Sequence, residues 1–259
     1  MISTAHSDAP EDALPTPIIP DLSGIALFAD LDGTLAPIEA TPQAVGPSAS
    51  RRGLIDALIR ALSGRFAVVS GRGLEDIDRV LENRVTAVAA VHGLVRRDAE
   101  GKLVSKALGG PAMASVLDAV RAFAADRVGL VIENKGSAVA LHYRQFPAAG
   151  AQCRALARDL AADLALEIQE GDMVVELKIS GPNKGGAVKA FMAEPPFTGY
   201  MPVFLGDDFT DESGFEAAQA LGGFGVVVGA RRPTAARYAL SDVAATRAWL
   251  RRAVEAATS

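Results

Sequence analysis

The sequence predicts an α/β protein, with a doubly wound, mostly parallel sheet as its core and an αββαββ module inserted into it. Three observations carry this expectation. Apolar runs of strand length end abruptly at polar clusters, helical patterns lie between those runs, and the order of elements changes over residues 111–180.

Residues 1–24 hold Pro10, Pro15, Pro17 and Pro20 among Asp8, Glu11 and Asp12, and read as a flexible leader. Ile25–Ala29 is an apolar run that stops at Asp30, as suits a strand buried on both faces of a parallel sheet. Leu54, Ile55, Leu58, Ile59 and Leu62 mark a helix. Strand Phe66–Val69 follows, then a turn at Ser70–Gly73 and a helix carrying Leu74, Ile77 and Leu81. A third run, Thr86–Val91, stops at His92-Gly93. Strands alternating with helices imply right-handed βαβ units, a Rossmann-like core with functional groups gathered at the carboxyl ends of its strands.

From Pro111 the pattern is different. Met113, Val116, Leu117 and Val120 mark a helix, and Val128–Glu133 with Ser137–Tyr143 read as a hairpin around Asn134-Lys135-Gly136. A second helix covers Ala148–Ala165, and Leu166–Gln169 with Met173–Ile179 form a second hairpin. In the last strand Val175, Leu177 and Ile179 share one face, and Glu176 and Lys178 share the other. The apolar face should meet the two helices, and the charged face should look into a cleft.

After Gly181 the βα pattern resumes: a helix near Lys184, strand Met201–Leu205 stopping at Gly206-Asp207-Asp208, a helix near Thr210, strand Phe224–Val228, and a last helix holding Val243, Trp249, Leu250 and Val254. The chain thus divides into the leader (1–24), a core (25–110 and 181–259) and an inserted domain (111–180). The crossings near Gly109-Gly110 and Gly181-Pro182 read as hinges.

Composition narrows the function. Of 259 residues 49 % are hydrophobic and 22 % charged, the balance of a globular protein. A net charge of −5 argues against nucleic-acid or membrane-surface binding, while leaving room for an anionic substrate in a local basic pocket. The lone Cys153 excludes an internal disulfide and a cysteine-rich zinc site. No Lys or Arg precedes Arg51 and no long apolar run occurs, so a cytoplasmic protein is expected. Without a coiled-coil pattern, a monomer is the default expectation.

Three core strands end in polar clusters: Asp30–Thr34, Ser70-Gly71-Arg72 and Gly206–Asp211. A parallel sheet brings those ends to one edge, where converging carboxylates repel unless something positive compensates. Oxygen donors of this kind suit a hard cation, and in a site handling phosphate that cation is Mg²⁺. Asp30 and Asp32 lie two apart and can face the same side, so that one attacks phosphorus while the other handles protons. Gly33 allows a tight turn, and Ser70 with the following amides at Gly71 can hold phosphate oxygens. Lys184, flanked by glycines at a helix start, can neutralise the nucleophile and the transferring group. Arg72 and His92 are further substrate-binding candidates; their plainer readings are a carboxylate partner and a core-edge histidine. His142 and Arg144 read as sheet residues of the insertion. Gly71–Asp76 nearly matches a dinucleotide fingerprint, but Asp76 stands where its third glycine belongs and would repel pyrophosphate.

With DLDGT (Asp30–Thr34), SGR (Ser70–Arg72), Lys184 and GDDFTDE (Gly206–Glu212) in that order, the chain resembles the haloacid-dehalogenase-superfamily phosphatases. Through the His92-Gly93 pair, ENKGSAVALHYR and MVVELKISGPNKGGAV it further resembles the trehalose-6-phosphate phosphatase family, from about Ile25 to Leu250. The resemblance implies Asp30 as nucleophile and Asp32 as general acid and base. It implies Mg²⁺ held by the Asp30 carboxylate, the Asp32 backbone carbonyl and Asp207, with Asp208 and Asp211 supporting that shell. Ser70, Gly71 and Lys184 would bind the phosphoryl group, and Glu133, Lys135 and Glu176 of the insertion, which the family uses as a cap, would hold sugar hydroxyls. The ENKGSAVA turn departs from the Arg- and Pro-containing turn of many relatives. The core motifs leave two alternatives open: another sugar-phosphate phosphatase of the superfamily, acting on a sucrose, mannosyl glycerate or hexose phosphate, and a catalytically silent sugar-phosphate sensor.

Overall fold

The computed structural model describes residues 14–19, 21–39, 41–105, 110–134, 138–164, 166–171, 173–179, 183–231 and 233–258. Its first strand, β1 (Ile25–Ala29), is buried along its whole length, as the uninterrupted apolar run requires. Helix α1 (Ala49–Ala61) is opened by Ser48, whose hydroxyl accepts from the Arg51 amide, and leads to β2 (Phe66–Val69). Helix α2 (Leu74–Leu81) then leads to β3 (Val88–Ala90). Two short strands, β4 (Val95–Arg97) and β5 (Leu103–Ser105), follow in antiparallel pairing and extend the sheet.

The insertion runs α3 (Gly110–Ala124), β6 (Val131–Asn134), β7 (Ala138–His142), α4 (Gly150–Leu164), β8 (Leu166–Gly171) and β9 (Val174–Ile179). Its strands form a separate antiparallel sheet in the order β6-β7-β9-β8. Val139, Leu141, Val175 and Leu177 bury one face against Val116 and Val120 of α3 and Cys153 and Ala157 of α4. On the other face the register sets Glu133 beside Ala140, Ala140 beside Glu176, and Gln169 beside Glu176, with Glu167 next to Lys178. The helix and strand order matches the predicted αββαββ arrangement. Lys135, Gly109, Gly181 and Pro182 lie outside the described residues, as do 1–13 of the expected leader.

The chain returns through α5 (Lys184–Met192), β10 (Met201–Gly206), α6 (Glu212–Ala220), β11 (Phe224–Val228), β12 (Tyr238–Leu240) and α7 (Val243–Thr258). The main sheet has eight strands in the order β12-β11-β10-β1-β2-β3-β4-β5, parallel from β12 through β3. Leu27, Val68, Val203 and Val226 pack on the side of α1, α2 and α7, while Phe28, Val69, Phe204 and Val227 pack against α5 and α6. Burial on both faces is why these strands read as continuous apolar runs rather than alternating ones. The chain leaves β1 toward β2 on one side and returns at β10 on the other. The crevice beyond the carboxyl ends of β1 and β10 is therefore the switch point at which open α/β sheets hold ligands.

One expectation is corrected here. Of the expected flexible leader, residues 14–19 and 21–24 are tied to the core: the Ala239 amide donates to the Pro15 carbonyl at 3.0 Å, and the Trp249 indole donates to the Pro17 carbonyl at 3.1 Å. Leu22 is buried, and Arg65 donates to its carbonyl at 3.1 Å. A buried indole N–H needs a partner, and the proline-rich segment supplies its carbonyl.

Candidate active site

Register places the site. Ala29 of β1 is level with Leu205 of β10 and Val68 of β2, so Asp30, Gly206 and the end of β2 emerge side by side. The Asp30 amide completes this edge by donating to the Leu205 carbonyl at 2.9 Å. On the opposite wall, Asn183 caps α5 by accepting from the Gly186 amide at 2.8 Å, which fixes Lys184 in the first turn. A side chain on Gly185 would run into the Ser213 carbonyl, so the glycine lets α5 close on the start of α6.

Lys184 is 1 % exposed, and its Nζ lies 3.0 Å from Asp30 Oδ2 and 2.7 Å from Asp211 Oδ1. Burial alone would pull its pKa down, but the carboxylates of Asp30 and Asp211 outweigh burial and hold it above its ordinary value. Asp211 is wholly buried; its second oxygen accepts the amides of Asp207 at 3.0 Å and Asp208 at 2.9 Å. Gly206 leaves the space that the Asp211 carboxylate fills. Burial pushes the Asp211 carboxyl upward against the pull of Lys184.

Carboxylate oxygens of Asp30, Asp207 and Asp211 lie within 4.8 Å of one another. Burial raises the Asp30 pKa to about 7 despite Lys184, and burial with the charges of Asp30 and Asp208 raises that of Asp207 to about 7. Gly33, at φ +69°, serves this convergence: a Cβ there would overlap the Asp207 carboxylate. Asp30 Oδ1 is buried and has no hydrogen-bond partner. Three carboxylates thus face one ammonium, with an acceptor atom unused, and these oxygen donors fit a hard cation.

The other predicted residues take different places. Asp32 turns both oxygens to Arg72, at 2.6 Å from Nε and 2.7 Å from Nη2, while the remaining Arg72 nitrogen pairs with Asp76. Arg72 is therefore committed to carboxylates. Asp208 is exposed, and its carboxylate accepts the Phe209 amide at 2.6 Å as a turn cap. Ser70 is buried at the end of β2, with its hydroxyl accepting from the Arg72 amide at 3.3 Å. The His92 ring lies so close to Gly71 that a Cβ there would stand 2.6 Å from its Cε1. Glu133 pairs with His142 at 3.1 Å on the insertion sheet.

A cavity of about 310 Å³ joins the two sheets. His92, Asn183, Lys184 and Phe209 line it from the core, and Glu167, Gln169, Glu176 and Lys178 from the insertion. Glu176 and Lys178 are thus where strand parity puts them. Glu167, Gln169 and Phe209 are additions; the alternation of Glu167 and Gln169 along β8 was the signal for the first two.

The parallel sheet that carries this aspartate cluster and buried lysine, interrupted by a small antiparallel one, is a fold shared with haloacid-dehalogenase-like hydrolases. A hydrolase of that class from Bacteroides thetaiotaomicron superposes with a TM-score of 0.67 at 15 % identity, over 88 % of this chain and 99 % of that one, a likeness of fold. The chain belongs to the trehalose-phosphatase family, whose profile matches residues 28–244. It is 40 % identical to the trehalose-6-phosphate phosphatase of Escherichia coli over 234 residues, covering 89 % of this chain and 87 % of that protein. The solved trehalose-6-phosphate phosphatase of Aspergillus fumigatus superposes with a TM-score of 0.70 at 27 % identity, over 94 % of this chain and 100 % of that one. Among the described residues no helix is long and apolar enough to cross a membrane.

Proposed function

We propose that this protein hydrolyses trehalose 6-phosphate to trehalose and phosphate in a Mg²⁺-dependent reaction. The observation that carries the reading is the Asp30–Lys184 pair, 3.0 Å apart at the switch point, opening onto a cavity whose far wall holds Glu176. Family membership and the named Escherichia coli relative support the substrate.

In this reading an Asp30 oxygen attacks phosphorus, the bond from phosphorus to the sugar oxygen breaks, and that oxygen takes a proton from Asp32. A water then gives its proton to Asp32 and attacks the aspartyl-phosphate, which releases phosphate and restores Asp30. Lys184 offsets the charge of the nucleophile and of the phosphoryl oxygens, with Ser70 and Gly71 holding the latter. Asp30, Asp207 and the Asp32 main-chain carbonyl would hold Mg²⁺, while Asp208 and Asp211 shape the turn behind them. When bound, Mg²⁺ supplies charge neutralisation at the phosphoryl oxygens. The insertion, residues 111–180, acts as a cap that excludes water, with Glu133, Lys135 and Glu176 on the sugar hydroxyls. The protein works as a cytoplasmic monomer.

Phosphate release from a panel of sugar phosphates, with Mg²⁺ and with chelator, tests this. A dominant, chelator-sensitive response to trehalose 6-phosphate that Asp30→Asn abolishes is expected. Preference for another ester would discard the substrate, and no turnover at all would point to a sensor.

A further inference from the structure

Phe209 is 74 % exposed, whereas the next most exposed phenylalanine among the described residues, Phe146, is 36 % exposed. Its backbone is nevertheless tightly held. The Phe209 amide donates to Asp208 Oδ1 at 2.6 Å, and a reciprocal capping box between Asp208 and Asp211 closes the turn. Asp211 in turn is bound by Lys184 at 2.7 Å. The network that orients Lys184 therefore also fixes the main chain that presents the ring.

A solitary exposed hydrophobic residue on a convex surface needs no explanation. Phe209 differs because it lines the cavity that Lys184 enters, and because the wall supplied by β8 and β9 is polar. There Lys178 Nζ donates to Gln169 Oε1 at 3.0 Å and lies 3.6 Å from Glu167, while Glu176 stands directly across the strand pair from Gln169. One aromatic surface lining the same cavity as a cluster of hydrogen-bonding groups matches a pyranose, whose C–H face is apolar and whose rim carries hydroxyls. Ligand pockets characteristically combine apolar and aromatic area with a few placed polar groups.

We propose that Phe209 is a specificity-determining residue, packing its ring on the C–H face of the sugar while Gln169 and Lys178 take hydroxyls at the rim. The proposal rests on the reading of a sugar phosphate as substrate. Because the turn is held by Asp208 and Asp211 rather than by the ring, replacing Phe209 leaves the phosphoryl-handling groups in position.

The experiment compares kcat/KM on trehalose 6-phosphate with kcat/KM on acetyl phosphate, which has no sugar. Phe209→Ala should lower that selectivity ratio about tenfold, mainly through KM on the sugar ester, and Phe209→Tyr should keep it within about twofold. A ratio unmoved by Phe209→Ala overturns the proposal. If the wild type prefers a different sugar phosphate, the trehalose reading fails, and the same ratio taken on the preferred ester still decides the role of Phe209. A second measurement reads binding in the variant directly. The native Trp249 is buried, 1 % exposed, so Phe209→Trp places a separate reporter in the cavity. Its emission should shift to the blue on titration with free trehalose; no shift at a concentration that halves wild-type turnover overturns the ring contact.

Discussion

Arg72 grips Asp32 with two nitrogens, Nε at 2.6 Å from one carboxylate oxygen and Nη2 at 2.7 Å from the other. The grip continues outward, since Arg72 also pairs with Asp76, and Asp76 accepts from Arg79, which donates to the Val45 carbonyl at 3.1 Å. Asp32 is thus oriented from the turn between β2 and α2, which Asp76 of α2 braces in its place. The hydrogen bonds that Arg72 donates to Asp32 and Asp76 hold its guanidinium above its ordinary pKa against the effect of burial.

Arg72→Lys should therefore act on catalysis more than on binding. A lysine cannot reproduce the planar fork, so Asp32 loses its fixed direction. The kcat/KM on trehalose 6-phosphate, which reports the step in which Asp32 gives up its proton, should fall about 10–100-fold with little change in KM. The matched measurement is kcat/KM on p-nitrophenyl phosphate, whose leaving group needs no proton; it should fall much less. Equal losses on both esters would remove Asp32 orientation as the cause.

Lys184 is buried among carboxylates, and taking away its charge leaves Asp30 and Asp211 uncompensated. Breaking a buried pair on one side costs about 3–5 kcal/mol. Lys184→Met should lose stability of that order in denaturant unfolding, together with nearly all phosphate release. An unchanged unfolding midpoint would mean that the two carboxylates are protonated or hydrated in the variant.

The two raised carboxyls predict a pH dependence with a definite sign. Asp30 and Asp207, both at about 7 in the metal-free protein, bind protons in the folded state that the unfolded chain has already released. Stability should therefore fall as pH rises from the ordinary carboxylate range, about 4, through about 7. A divalent cation competes for the same oxygens, so the rise in Tm on adding Mg²⁺ should be larger at about pH 8 than at about pH 5.5. Thermal unfolding at both pH values, with Mg²⁺ and with chelator, checks it; an increment independent of pH would show that these carboxyls do not hold the ion.

The sequence revealed most of this site because the strands that carry it are buried on both faces. Phe66–Val69 and Met201–Leu205 could be read as strands from their apolar runs, and their abrupt polar ends marked Ser70 and Asp207. The last two short strands of the sheet, β4 and β5, were not legible: with three residues each, including Arg96, Arg97 and Ser105, they show neither a continuous run nor a usable alternation. Strand parity separated Glu176 and Lys178 from the apolar face of β9. Arg72 could be read as the partner of a carboxylate, but not as that of Asp32, which lies forty residues away and meets the guanidinium fork only once β1 and β2 lie side by side. Phe209 was invisible for a similar reason, since nothing in GDDFTDE distinguishes a packed ring from one left in a cavity.

Gly33 offers the sharpest separation of stability from function. Its φ of +69° is strained for any residue with a Cβ, which costs about 1–2 kcal/mol, and that Cβ would also occupy the space of the Asp207 carboxylate. The surrounding core, built on Leu27, Phe28 and Ala29, does not depend on that carboxylate, so Gly33→Ala should still fold. Asp207 must move, and with it one of the two carboxylates proposed to hold the ion. Activity should drop at least about 100-fold, and the Mg²⁺-dependent rise in Tm should shrink to near nothing at about pH 8. A companion variant, Gly24→Ala, tests glycine replacement where a Cβ meets nothing within 4 Å, and should leave both readouts unchanged. If Gly33→Ala loses activity yet keeps the full metal-dependent rise in Tm, then Asp207 is not a ligand and the glycine serves the phosphoryl group instead.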